Sequence, residues 1–449
     1  MTLSKSKRYS ISEQTYVCLR RAFLLTALIL FHSGTADLRA QITGKPAYGD
    51  FAITNATVHT VTNGIIEGGV VLVEEGEITH VGSNVRVPDS VHRIDATGLH
   101  LYPGFIDSFT HLGLVEISAV PVTVDHRELG THNPQVQAVT AINPHAVAIP
   151  VTRVGGVTTV ISSPASSQVA GKAALIDLWG YTPEAMAVTE RAALVVEWPS
   201  LPADTSNEDA MERYESQRDE LDDYWQDAQF YESMISAYNQ GEATTSRPER
   251  NLRLEAMREV VRGEIPVILR VNRERDILKA LEWISNYPEI SFLFQGVAEG
   301  WRVASRIAEA EVPVIVNTLY TPLRSYDNYQ RPYQNPGLLA EAGVLVLLGT
   351  GETENVRNLL FEAGYAAAYG LGREEALKSI TINPARAWGV EDRFGSIEPG
   401  KQANLVLTDG DPFEPSTHIH NVMINGYLIP MESRQQQLFE EFLDWDATR

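Results

Sequence analysis

Apolar residues along this chain fall into two kinds of pattern, and the order of those patterns predicts the architecture. Near the N-terminus, residues 51–58 (FAITNATV), 69–74 (GVVLVE) and 77–82 (EITHVG) are short runs rich in β-branched residues. Only Glu75 and Gly76 separate the last two, so they predict an antiparallel meander with a tight turn. The same β character returns far downstream in 403–407 (ANLVL) and 421–426 (NVMING), punctuated by Gly410, Pro412 and Pro415. Between these ends, short buried-looking runs alternate with amphipathic stretches, at 102–107, 157–162, 173–178, 192–198, 265–271, 290–295, 312–317 and 344–349. Eight such runs, most separated by helical pattern, predict an α/β fold built on a parallel (β/α)8 TIM-like barrel, with an open doubly wound sheet as the alternative.

The stretch 201–262 is longer than a crossover needs and dense in Glu, Asp, Arg, Gln and Tyr, which predicts an exposed helical excursion. A solvated helix face is the plain expectation for it, and a lid or partner surface the sharper one. Residues 432–446 (ESRQQQLFEEFLDWD) predict a short amphipathic C-terminal helix. At 449 residues and 44% hydrophobic, the chain can bury a large core, and one barrel with an appendage accounts for that length. A formal charge of −22 repels polyanions, and the Lys/Arg run is confined to the extreme N-terminus, so nucleic acid is not an expected partner.

That N-terminus reads as a leader over residues 1–40. Lys5, Lys7, Arg8, Arg20 and Arg21 precede an apolar stretch from Ala22 to Phe31, which gives way to small residues including Ala36 and Ala40. The stretch is too short for a stable membrane span, so the expectation is a secretory signal peptide and a periplasmic or extracellular product without a membrane anchor. Cys18 is the only cysteine and lies before the apolar stretch; cleavage would leave the mature chain without a thiol, which excludes disulfides and Cys-based sites.

Three strings resemble the amidohydrolase superfamily in order: 98–114 (GLHLYPGFIDSFTHLGL) its first barrel strand, 143–160 (NPHAVAIPVTRVGGVTTV) its second, and 376–413 its last helix and return into a β-sandwich. Within the superfamily, the chain is most similar to imidazolonepropionase-like exported bacterial amidohydrolases. The resemblance implies a barrel at 101–392 with an inserted helical region, and a small β-sandwich from 41–100 and 393–430, followed by a helix over 431–449. It also implies hydrolysis of carbon–nitrogen bonds outside peptides, by water activated on a divalent metal, usually zinc. The motifs that match are architectural, with Gly395, Pro399 and Gly400 setting turns and Asn383 and Pro384 at a helix-to-loop passage.

At the ligand positions the resemblance breaks. The HxH pair reads Phe109 and His111, the strand-five His is Asn272, the strand-six His is Gln295, and the strand-eight Asp is Gly351. Neutral amides bind zinc poorly and Phe and Gly offer no side-chain donor, so a weak or absent metal is expected. A relocated site would draw on Asp107, His111, Glu116, Asp125, His126, His132, His145, Asp177 and Glu352. From that set the expected catalytic residues are His111, Asp107 and Glu352, and the expected metal residues His111 and Asp177. Lys172 precedes its strand and is a poor candidate for a bridging carbamate. Ser162, Ser163, Ser166 and Ser167 follow the second strand, but they carry no GxSxG elbow. By the resemblance the expected function is a hydrolase acting on a carbon–nitrogen bond of a non-peptide or cyclic amide; the alternative is a catalytically silent ligand-binding or scaffold subunit that self-associates or pairs with an active homologue.

Overall fold

A computed structural model describes residues 44–165, 167–241, 247–321 and 328–447. The leader, Cys18 and Ser166 lie outside them. β1 (Ala47–Tyr48), β2 (Phe51–His59), β3 (Ile65–Glu74), β4 (Glu77–Gly82), β5 (His92–Asp95) and β6 (His100–Pro103) come first. β3 and β4 pair antiparallel, and the turn between them places Glu75 at φ 52° and Gly76 at φ 87°. Two successive positive φ values are what a two-residue hairpin matched to strand twist requires.

The barrel follows, made of β7 (Phe105–Thr110), β8 (Val157–Ser162), β9 (Val169–Asp177), β10 (Ala187–Glu197), β11 (Val267–Val271), β12 (Phe292–Gly296), β13 (Val314–Val316) and β14 (Val346–Leu348). Each of the eight runs read from the sequence supplies one of these strands. Their direction departs from expectation: β9 is antiparallel to both β8 and β10, while β7–β8 and β10 through β14 pair parallel. Loop length explains the reversal. The chain between Ser162 and Val169 is too short for a crossover, which takes about a dozen residues, so the strand folds back as in a hairpin.

Inside the barrel, alternate residues from the strands form an apolar filling that includes Ile106, Phe109, Ile161, Val195, Ile268, Leu293, Ile315 and Leu347. β15 (Leu405–Thr408), β16 (Ile419–Ile424) and β17 (Tyr427–Ile429) then return to the N-terminal strands. The two ends form one continuous nine-stranded sheet, in the order β1-β17-β16-β15-β6-β2-β3-β4 with β5 on β2. Phe51, Val71, Ile78, Leu101, Leu405 and Met423 bury its core.

Helices position the rest. In α1 (Glu208–Asn239), Asn207 accepts from the Ala210 amide as N-cap and Glu208 and Asp209 favour the positive helix end. The buried stripe of α1 is Leu221, Trp225, Ala228, Tyr231 and Ile235, at the three- and four-residue spacing of a single face. α2 (Leu252–Val261) is tied to it by Arg258 on Glu232 and by the Tyr231 hydroxyl on Glu255. α3 (Glu274–Ile284) carries Trp283, whose ring meets those of Trp225 and Trp198 edge-on. α4 (Ile382–Ala387) puts Ile382 and Ala385 under the barrel floor, and α5 (Arg434–Ala447) is the C-terminal helix.

Candidate functional site

The barrel mouth is built by strand alternation. Val195, Ile268, Leu293 and Ile315 face inward, so the residues two further along, Glu197, Arg270, Gln295 and Asn317, form the next layer towards the strand C-termini. Register sets three of them side by side: Glu197 is paired with Arg270, and Arg270 with Gln295. Their side chains join accordingly. Arg270 forms an ion pair with Glu197 from Nη1 at 2.8 Å and donates from Nε to Gln295 Oε1 at 3.0 Å. Its guanidinium also lies 5.5 Å from the centre of the Phe109 ring. A fixed cation thus stands in the layer that carries Gln295.

The Phe109 ring also meets the His111 ring edge-on, with 5.6 Å between centres. The Nδ1 of His111 lies 2.7 Å from the Ser163 carbonyl, and the His111 ring stacks on His126 at 4.8 Å. A carbonyl only accepts, so Nδ1 bears the proton and Nε2 presents a lone pair. Burial pushes the imidazole down to about 4, which keeps it neutral near pH 7.

The other expected residues do not gather around it. Asp107 is fully buried and its carboxylate is taken up by the barrel seam, accepting from the Phe109 and Thr350 amides and the Thr350 hydroxyl. Burial raises it to about 7 against those hydrogen bonds. Glu352 meets His111 only through its backbone oxygen, and its carboxylate accepts from Asn355. Asp177 corrects the expected pairing with His111: it lies beside Thr159 at the barrel floor, bonded to Thr159, Asn404 and Asn425. The reversal of β9 explains this, because the end of that strand points away from the mouth. Glu116 accepts from Asn143, and His132 bonds Gln168 and stacks on Tyr224. Lys172 is buried in an ion pair with Glu259.

The resemblance assigns the family's metal ligands to positions that carry poor donors in this chain. Phe109 and Gly351 offer no donor, Gly351 turns at φ 68°, and Gln295 is engaged by a guanidinium that repels a cation. Among the described residues, no group of three or more His, Cys, Asp or Glu could hold a metal ion. Arg270 and Glu197 escaped the sequence reading. The signal was a charged residue in step with Ile268 within IPVILRV, a parity that points it into the barrel.

Comparison with known proteins finds similarity to amidohydrolases. Residues 334–429 match the amidohydrolase family profile. A solved amidohydrolase from Thermotoga maritima MSB8 superposes with a TM-score of 0.73 at 29% identity, covering 84% of this chain and 99% of that one. Amidohydrolase tasK of Hapsidospora irregularis is 23% identical in an alignment of 398 positions that covers 80% of this chain and 39% of that protein. An imidazolonepropionase of Picrophilus torridus is 36% identical over 64 residues, 14% of this chain and 16% of the relative. The chain therefore spans about two fifths or less of these curated relatives.

Proposed function

We propose that this amidohydrolase-type barrel receives a small molecule at its mouth without the family's metal-assisted hydrolysis, serving as a ligand-binding or scaffold subunit. One observation carries the reading: Glu197, Arg270 and Gln295 form a hydrogen-bonded ladder across three strands, so the mouth layer that carries Gln295 already holds a fixed guanidinium. Without a metal to lower its pKa, water is a poor nucleophile towards an amide.

A second reading keeps the hydrolase, acting on carbon–nitrogen bonds outside peptides as imidazolonepropionase-like relatives would. His111 favours it, because it occupies the second HxH position with Nε2 left open by the Nδ1 contact to Ser163. Elemental analysis of the purified mature protein separates the two, combined with assays on linear and cyclic amides before and after chelation. The expected result is little metal, no chelator-sensitive turnover, and recovery of either a second copy or a metal-bearing homologue on pull-down. Near-stoichiometric zinc with hydrolysis abolished by chelation would overturn the first reading. Export to the periplasm or beyond is part of the same proposal, and the N-terminal sequence of the secreted protein tests it, an intact leader counting against it.

A further inference from the structure

The geometry points to a small carboxylate as the ligand of the barrel mouth, docked on the Arg270 guanidinium. This rests on the reading of the mouth as a layer without a metal, and it names what that layer binds.

Arg270 is braced on both sides. Glu197 holds Nη1 and Gln295 holds Nε, each from an adjacent strand at matched register. Among the described residues no hydrogen bond engages Nη2, so one nitrogen of the planar fork is left for a ligand. Bracing removes most of the rotamer freedom that a mobile arginine would lose on binding, which favours affinity for a planar acceptor. The pair remains reachable by solvent, with 28% of the Arg270 side chain and 49% of that of Glu197 exposed.

A second observation independently calls for a ligand. Ser163 is fully buried, lies two residues beyond inward-facing Ile161, and its hydroxyl has no hydrogen-bond partner. An unsatisfied buried hydroxyl costs about 1–3 kcal/mol, so a group that reaches it gains on binding. Beside it, His111 presents the Nε2 lone pair, which accepts a polar hydrogen. A ligand with an acidic end and an N–H or O–H further along would answer all three. Charge selects the class: Glu197 offsets much of the guanidinium's positive charge and the chain carries −22 overall, so a singly charged carboxylate is favoured over phosphate.

Calorimetric titration of the full mature chain with benzoate, benzamide, benzylamine and inorganic phosphate tests this, since the first three share a shape and differ in charge. Benzoate is expected to bind about tenfold or more tightly than benzamide, with benzylamine and phosphate weaker still. Arg270→Gln is expected to abolish the preference. Because that change alone strands Glu197, the double variant Arg270→Gln/Glu197→Gln supplies a neutral comparison, its fold checked by circular dichroism. Equal binding of benzoate and benzamide, tighter binding of phosphate, no benzoate binding at millimolar concentration, or preference retained in the double variant each overturns the proposal. Zinc in the wild-type protein, with benzoate bound only while zinc is present, would instead sink the metal-free reading beneath it.

Discussion

At the residue scale, the chemistry of this barrel lies in charges placed where water is scarce. Glu362 is the clearest case: it is fully buried, its Oε2 accepts from the Thr318 and Leu319 amides and the Thr318 hydroxyl, and its Oε1 has no partner. Burial raises it to about 7. A carboxyl with a folded pKa above its unfolded value stabilises the fold relative to the ionised form at low pH, and that contribution is lost as pH rises through about 7. Replacing Glu362 by Gln keeps the acceptor and removes the charge. The stability of Glu362→Gln relative to wild type is therefore expected to rise between about pH 4.5 and 7 by up to a few kcal/mol, and to level off above. Denaturant unfolding across that range checks it, and a pH-independent difference would contradict the assignment. The place of His111 just past β7 was legible because the string 98–114 fixes it, whereas the assignment of Asn272, Gln295 and Gly351 to ligand positions rests on the resemblance alone. Arg270 was not legible, because side-chain direction inside a strand depends on where the strand begins.

At the element scale, the strands could be read and their directions only in part. Each apolar run marked a strand, but run and spacing carry no arrow, and β9 turned back because six residues cannot cross the barrel. That one reversal also moved Asp177 from the expected mouth to the floor. The excursion between β10 and β11 was legible as helix, while its anchorage was hidden by abundant charge. Trp225 of α1 is fully buried against Trp283 and Tyr287, and it fastens that long helix to α3. Trp225→Ala is expected to cost about 3–5 kcal/mol in chemical denaturation. A loss below about 1 kcal/mol would mean that α1 docks elsewhere.

Across the whole molecule, acidity sets the behaviour. With 58 Asp and Glu against 36 Lys and Arg, like-charge repulsion opposes compaction, whereas individual surface ion pairs contribute little. Raising ionic strength from about 10 mM to about 150 mM shortens the screening length several-fold, and the thermal midpoint is expected to rise by a few degrees. A melting series in sodium chloride reads this directly, and a fall would assign the dominant electrostatic role to ion pairs such as Arg258 with Glu232.

The seam between the first and last barrel strands has a consequence for how the polypeptide finds its shape. Asp107 and Thr350 are 243 positions apart in sequence, and their contact closes the seam together with backbone hydrogen bonds from Gly351 to Phe109 and from His111 to Glu352. Drawing those ends together carries a loop-closure entropy roughly 3 kcal/mol above that for joining β8 to β9 across their short connection. The reversed strand thus lets one side of the cylinder assemble from near neighbours, and the stave that shuts it comes last.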